Sequence, residues 1–278
     1  MDLQEVTPAL LRRHPLPAPA GDDDKNRHGQ VLIAAGSRDT PGAALLSAEA
    51  ALRAGIGKVT MAVPRTALLA AGIAVPESRV VDAEGRISRA LLASKTALLI
   101  GPGMAPDAAV RWRSAAFEAS DALIVLDAAA MQRLRRPGKR MRPTILTPHA
   151  GEMAALSNQP ESSISRDPVG AARAAAREFG MIVVLKGTTT VIAAPGGATF
   201  RHRAEIAGLG VSGSGDVLAG LIVGLAGQGV PAIEASLWGV ALHAAAGRRL
   251  ARRIGTTGYL ARELAAEVPR VMQQARRK

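Results

Sequence analysis

Seven short apolar runs, at residues 30–35, 58–63, 97–100, 123–126, 144–146, 181–185 and 190–194, constrain most tightly what this chain can fold into. Most are continuous stretches of Val, Ile, Leu and Ala, without alternation of apolar and polar residues. A strand written that way has both faces buried, as in a sheet covered by helices on each side. The intervening stretches supply those helices: 43–54, 105–119, 151–157 and 169–179 are longer and mostly Ala-rich. From residue 216 onward the pattern is helical, over 216–228, 232–253 and 259–274. The alternation predicts an α/β fold, a mostly parallel central sheet with helices on both faces. Residues 181–194, broken at Lys186-Gly187-Thr188-Thr189, fit either a hairpin or two successive strands. No composition shift splits the chain and no internal repeat is visible. One domain over 28–278 is expected, with a leader arm at 1–27 whose stretch 15–24 is rich in Pro, Ala, Gly and Asp.

Composition narrows the function classes. Hydrophobic residues make up 48% of the 278, enough to exclude disorder throughout. Aromatics are 2%, too few for a protein that stacks single-stranded bases. The absence of Cys removes disulfides, thiolate metal sites and a cysteine nucleophile. The core must be built of Ala, Val, Leu and Ile, with helices packed closely through Ala and Gly. The 35 Lys and Arg against 23 Asp and Glu give a formal charge of +12. Such a field suits nucleic acid, small anions such as nucleotides, or no partner at all. The scatter of the Arg residues favours the last two. A cluster of Arg133, Arg135, Arg136, Lys139, Arg140 and Arg142 around Pro137-Gly138 reads as solvated surface, as does the tail Arg276-Arg277-Lys278. Asp2, Glu5 and Asp22-Asp23-Asp24 leave no basic, apolar signal peptide, and the richest apolar run, 218–226, is about half the length of a membrane span. A soluble cytoplasmic protein with neither nucleic-acid nor membrane partner is expected.

Ligands of open α/β sheets bind beyond the carboxyl ends of the strands. Those ends read Gly36-Ser37, Gly101-Pro102-Gly103, Asp127, Thr147-Pro148-His149 and Lys186-Gly187-Thr188, followed by Gly213-Ser214-Gly215-Asp216 at a helix start. No P-loop motif occurs. Gly208-Leu209-Gly210-Val211-Ser212-Gly213 matches G-x-G-x-x-G, but it lies late in the chain and follows a charged segment, 201–205, not an apolar strand. A better reading takes residues 211–216 as the opening of an apolar helix whose N–H groups and positive end bind an anion. Asp216 fits two roles there. It is a good helix cap, and its carboxylate can also take a proton from a hydroxyl that meets a phosphoryl group.

GSGD (213–216) followed by VLAGLIVGLAGQG (217–229) resembles the G-G-T-G-D anion-hole signature of ribokinase-like folds. Four further segments narrow the likeness: AAGSRDTPGAALLSAEAALRAGIGKV (34–59), LLIGPGM (98–104), TILTPHAGEMAAL (144–156) and VVLKGTTTVIAAP (183–195). Together, and in this order over roughly 28–270, they resemble the ADP/ATP-dependent NAD(P)H-hydrate dehydratases, here in stand-alone form without a fused epimerase domain. The resemblance implies phosphorylation of the C6 hydroxyl of hydrated NADH or NADPH by ADP or ATP with Mg²⁺, then loss of phosphate to restore the double bond. It implies Asp216 as the base and the N–H groups of Gly213, Ser214 and Gly215 as the phosphoryl cradle. Lys186, Gly187, Thr188, Thr189 and Thr190, with Gly215, would line the nucleotide site. Ala43, Gly103 and His149, with Asp216, would meet the hydrated coenzyme. No protein metal site is implied, although Glu152 and Asp127 suit Mg²⁺ through water. His149 and Glu152 lack the third ligand a zinc site needs. A homo-oligomer, a tetramer among the options, also goes with the resemblance.

Departures accompany it. The family's D-A-D reads Asp127-Ala128-Ala129, its G-N-G before the anion hole is replaced by EIAG at 205–208, and Ser212 stands for a glycine. Two alternatives stay open on sequence. One is an alcohol kinase of the same fold, for a thiazole or pyrimidine substrate, which would use the same Asp216. The other is a basic nucleic-acid-binding protein that has lost catalysis, which steep salt dependence would reveal. Nucleotide preference is not legible.

Overall fold

The computed structural model describes residues 3–17, 28–135 and 143–276. Among these residues, ten strands form one sheet: β1 (Leu3–Glu5), β2 (Gln30–Ala34), β3 (Lys58–Val63), β4 (Ser78–Asp82), β5 (Ala97–Ile100), β6 (Leu123–Leu126), β7 (Thr144–Leu146), β8 (Ile182–Leu185), β9 (Thr189–Ala193) and β10 (Thr199–Arg203). The helices are α1 (Pro8–Arg13), α2 (Gly42–Arg53), α3 (Leu68–Ala74), α4 (Arg89–Ala93), α5 (Pro106–Ala119), α6 (Ala150–Ser157), α7 (Glu161–Arg166), α8 (Pro168–Phe179), α9 (Ser214–Gly227), α10 (Ala232–Arg253) and α11 (Ala261–Arg276).

The strand order is β1-β10-β9-β8-β7-β6-β5-β2-β3-β4. The block from β8 to β4 is parallel throughout. β8, β9 and β10 form an antiparallel meander, so residues 181–194 are a hairpin. Side chains alternate across the pleat and feed two cores. Val31, Ile33, Leu99, Val125 and Val184 face α2, α9, α10 and α11, while Leu32, Leu98, Ile100, Ile124 and Leu126 face α5, α6 and α8. Each such Leu or Ile buried on folding contributes about 1.5–3 kcal/mol.

The central helix α9 is apolar all round, and it is buried from Val217 to Gly227. Its Gly220 and Gly224 lie against Ser47 and Ala51 of α2, so the two backbones meet closely, as the Ala and Gly content leads one to expect. Among the described residues, no helix is long and apolar enough to cross a membrane.

Three strands differ from the sequence reading. β4 and β10 sit at or near sheet edges and lack continuous apolar runs; the charged segment at 201–205 overlaps β10. β1 lies within the expected leader arm, yet Leu3, Gln4 and Glu5 pair in parallel with Thr199, Phe200 and Arg201. Arg201 Nε also donates to Glu5 Oε1 at 2.7 Å. The first described residues therefore pair with the sheet. Residues 18–27 lie outside the described part, as do 136–142 with most of the basic cluster, and Arg277 and Lys278. Of that cluster, exposed Arg133 stands 3.8 Å from Asp107.

Candidate active site

The parallel block brings successive strand ends to one edge, and each loop is tied to the preceding strand. Asp127 N–H donates to Ile100 O, Thr147 N–H to Leu126 O, and Lys186 N–H to Pro148 O. Residues after β6, β7 and β8 therefore stand side by side. Asp127 is 3% exposed. Its Oδ1 accepts from Thr147 Oγ1 at 2.6 Å and from Lys186 Nζ at 2.9 Å. Lys186 Nζ also lies 3.7 Å from Glu152 Oε2. Burial pulls the Lys186 ammonium down, but Asp127 and then Glu152 outweigh it and hold the group above its ordinary range.

His149 and Glu152 have a structural task. His149 is the N-cap of α6, and its Nδ1 accepts from the N–H groups of Gly151 and Glu152 at 3.0 and 3.3 Å. Glu152 Oε2 returns the bond by accepting from His149 N–H at 2.8 Å. This reciprocal box fixes the loop and occupies Nδ1 as an acceptor, while Nε2 lies 3.6 Å from Glu152 Oε1. Among the described residues no group of three or more His, Asp or Glu is placed to hold a metal ion.

The opposite wall is the start of α9. Gly213, not Asp216, occupies the N-cap position, so the cap role that the sequence allowed for Asp216 is not the one it plays. Gly213 has φ +87°, and a Cβ there would lie 2.5 Å from Leu46 Cδ1. The positive φ strains any side chain here, and Leu46 would have to shift to admit one. The cradle differs in one respect from the expected set of three N–H donors. Ser214 N–H is turned back to Val211 O at 3.2 Å. No acceptor is seen among the described residues for the N–H groups of Gly213 and Gly215, which stay available to an anion. Ser214 contributes otherwise: its buried Oγ meets His243 Nε2 of α10 at 3.0 Å. Burial pushes His243 down to about 4, so the ring is neutral near pH 7.

Asp216 lies in the first turn of α9, with its carbonyl accepting from Ser47 Oγ of α2 at 3.1 Å. Burial pushes its carboxyl up, Asp127 adds to this and Lys186 partly opposes it, for a value of about 7. The carboxyl is therefore poised to gain or lose a proton near neutrality, as a general base must be.

A cleft of about 810 Å³ opens beside this arrangement. It is lined by Lys186, Gly187, Thr188, Thr190, His149, Ser214 and Gly215, and beyond them by apolar Ile206, Leu209, Val211 and Val240. Thr189, Asp127, Glu152, Gly213 and Asp216 are not among its lining residues. Ala43 and Gly103 are brought together elsewhere on the same edge. Gly103 has φ +61°, and a Cβ on it would stand 2.7 Å from Ala43 Cβ. Thr40 Oγ1 donates to Gly103 O at 2.8 Å, and Gly36 N–H to Pro102 O at 2.7 Å, at the point where the strand order reverses between β2 and β5. The segment 208–213 is no dinucleotide fingerprint: a 3₁₀ turn spans Ala207–Leu209, and Gly208 packs on the Tyr259 ring. Sequence reasoning missed His202 and His243, and named Thr147 only as a strand end.

Comparison with known proteins shows the family. A family model described as NAD(P)H-hydrate dehydratase matches residues 31–270. The chain is 44% identical to an ADP-dependent (S)-NAD(P)H-hydrate dehydratase of Xanthomonas campestris pv. campestris, covering 98% of this chain and 97% of the relative. It is 30% identical to the Bacillus subtilis protein of the same name, over 94% and 95%. A crystal structure of the Bacillus subtilis ADP/ATP-dependent enzyme, co-crystallised with ATP and Mg²⁺, superposes with a TM-score of 0.90 at 29% identity, covering 99% of each chain.

Proposed function

Because the chain belongs to the NAD(P)H-hydrate dehydratase family, we propose that it repairs hydrated NADH and NADPH by a nucleotide-dependent dehydration. ADP or ATP serves as phosphoryl donor, in keeping with the names of its relatives. One observation carries the residue assignment: a carboxyl pushed to about 7, in the first turn of a helix whose start offers free N–H groups.

In this reading the nucleotide fills the cleft beside Lys186 and 187–190, with its phosphates toward Lys186 and the start of α9. The hydrated nicotinamide enters over Ala43, Gly103 and His149. Asp216 takes the proton of the C6 hydroxyl as its oxygen bonds to the terminal phosphorus, and the bond to the nucleotide's bridging oxygen breaks. ADP leaves as AMP, or ATP as ADP. Gly213 and Gly215 N–H groups hold the negative phosphoryl oxygens, an interaction that strengthens as charge develops. The ring nitrogen then expels phosphate from C6, a proton leaves C5, and the double bond returns. His149 can donate from Nε2 to the coenzyme while Nδ1 keeps its cap.

The residues present fit Mg²⁺ only as a companion of the phosphates. Asp127 and Glu152 are engaged by Lys186 and the α6 cap, so they would reach the ion through water. When bound, the ion neutralises phosphate charge. We further infer a cytoplasmic homo-oligomer, the compartment following from where reduced coenzyme is used. An alcohol kinase would share Asp216, but the family match spans the segments that separate the two readings.

The test is incubation of the folded protein with hydrated NADH, Mg²⁺ and ADP or ATP. Recovery of the reduced nicotinamide absorbance is expected; no recovery with either nucleotide contradicts the function.

A further inference from the structure

A second cavity, of about 740 Å³, lies between the N-terminal segment and helices α10 and α11. Leu11, Leu16, Trp238 and Val271 give it apolar walls. Among the described residues, its lining holds no acidic residue but three arginines, Arg12, Arg248 and Arg276. Arg12 and Arg276 are exposed, while Arg248 is partly buried. The neighbouring Arg249 and Arg253 both pair with Glu267, at 2.8 and 3.0 Å. Arg248 makes neither an ion pair nor a side-chain hydrogen bond among the described residues. Burial, and then Arg252, holds its guanidinium below the usual range. A charge held in this way is costly unless a partner offsets its desolvation.

A second polar group points the same way. His202 of β10 is 7% exposed, borders both this cavity and the nucleotide cleft, and has a buried Nδ1 with no hydrogen-bond partner among the described residues. An apolar chamber with an unpaired guanidinium and an unused ring nitrogen matches one ligand chemistry: a hydrocarbon body ending in an anion. Arg presents a planar fork suited to both phosphate and carboxylate.

We propose that this cavity binds a small amphipathic anion, a hydrocarbon chain ending in phosphate or carboxylate, with Arg248 as the anchor of its head. Neither the anchor nor the apolar walls belong to the proposed active site. Trp238 supplies a local reporter, since the other tryptophan, Trp112, is buried on the opposite face of the sheet with its Nε1 donating to Ala83 O.

The experiment titrates octyl phosphate into the whole protein at saturating ADP and follows tryptophan fluorescence. A saturable change is expected, with octanol and inorganic phosphate each binding about tenfold or more weaker. An octanoate arm tells whether any anionic head or phosphate alone is accepted, and both results fit the site. Arg248→Met should weaken octyl phosphate about tenfold or more and leave basal dehydration unchanged. Ala245→Phe, which fills the chamber and keeps Arg248, should also abolish binding, and it decides the matter should Arg248→Met not fold. No saturable change in the wild type, displacement by ADP, equal binding of octanol, or undiminished binding by the variants would overturn the proposal.

Discussion

The two walls that flank Asp216 use opposite materials. On the β6–β8 side, charge is held by side chains: Lys186 between Asp127 and Glu152, with Thr147 behind. On the α9 side the proposed anion meets backbone, at a glycine turn whose φ of +87° disfavours a side chain. Burial does most to raise the Asp216 carboxyl and the first wall adjusts it, while the second wall is proposed to hold the charge that forms in the reaction. A side-chain wall should tolerate substitution with a graded loss and a shifted pH profile. A backbone wall should fail abruptly.

The largest effect should come from the group between the walls. Asp216→Asn keeps the shape and removes the base, and turnover should fall by about 10³–10⁴ with nucleotide binding changed only a fewfold. The same variant has a stability signature. Asp216 has a folded value of about 7 against an unfolded one near ~3.9, so its stability contribution is complete below ~4 and is lost as pH rises through about 7. The melting temperature of Asp216→Asn relative to the wild type should therefore rise between about pH 5 and about pH 8, across the folded value of about 7. A margin that shrinks over that interval would contradict the buried-acid account.

Next is the backbone wall. Gly213→Ala meets Leu46 and a positive φ, and it should cost about 10²–10³ in turnover, the scale of a lost oxyanion-hole donor. Ser214→Ala, one residue on, keeps every N–H and loses only the bond to His243. Its effect should be the smallest of the set, about tenfold or less. Between them falls Lys186→Met. It should raise the nucleotide KM about tenfold or more. It should also move the rising limb of the pH–rate profile above its wild-type position near 7, because Lys186 holds the Asp216 carboxyl down. Steady-state kinetics across pH separates the two walls. If Gly213→Ala proves milder than Lys186→Met, the comparison is wrong.

The same contrast explains what could be read from the chain. β2, β3 and β5 to β8 were legible because both faces are buried and every residue is apolar or nearly so. β4 and β10 were not, because strands at or near an edge carry charge: Arg201 of β10 pairs with Glu5 while Phe200 turns inward. β1 has three residues and no pattern of its own. At the site, the backbone wall was visible as GSGD, since glycines beside an apolar helix leave a sequence mark. Lys186 and Asp127 were visible as strand ends, but not as a pair, which arises from the order of β6, β7 and β8. The capping role of His149 follows from Glu152 three residues on, a box recognisable from spacing but made here by histidine in place of Ser or Thr. Ser214 and His243 are joined only by the packing of α9 on α10, and nothing local to either residue announces it.

The central claim is that Asp216 couples phosphoryl transfer to dehydration, and product stoichiometry tests it most directly. With hydrated NADH, ADP and Mg²⁺, the wild type should yield AMP, phosphate and restored NADH in equal amounts, and Asp216→Asn should form all three about 10³–10⁴ more slowly while still binding ADP. Restoration of NADH without nucleotide cleavage, or turnover by Asp216→Asn close to the wild-type rate, would contradict the account.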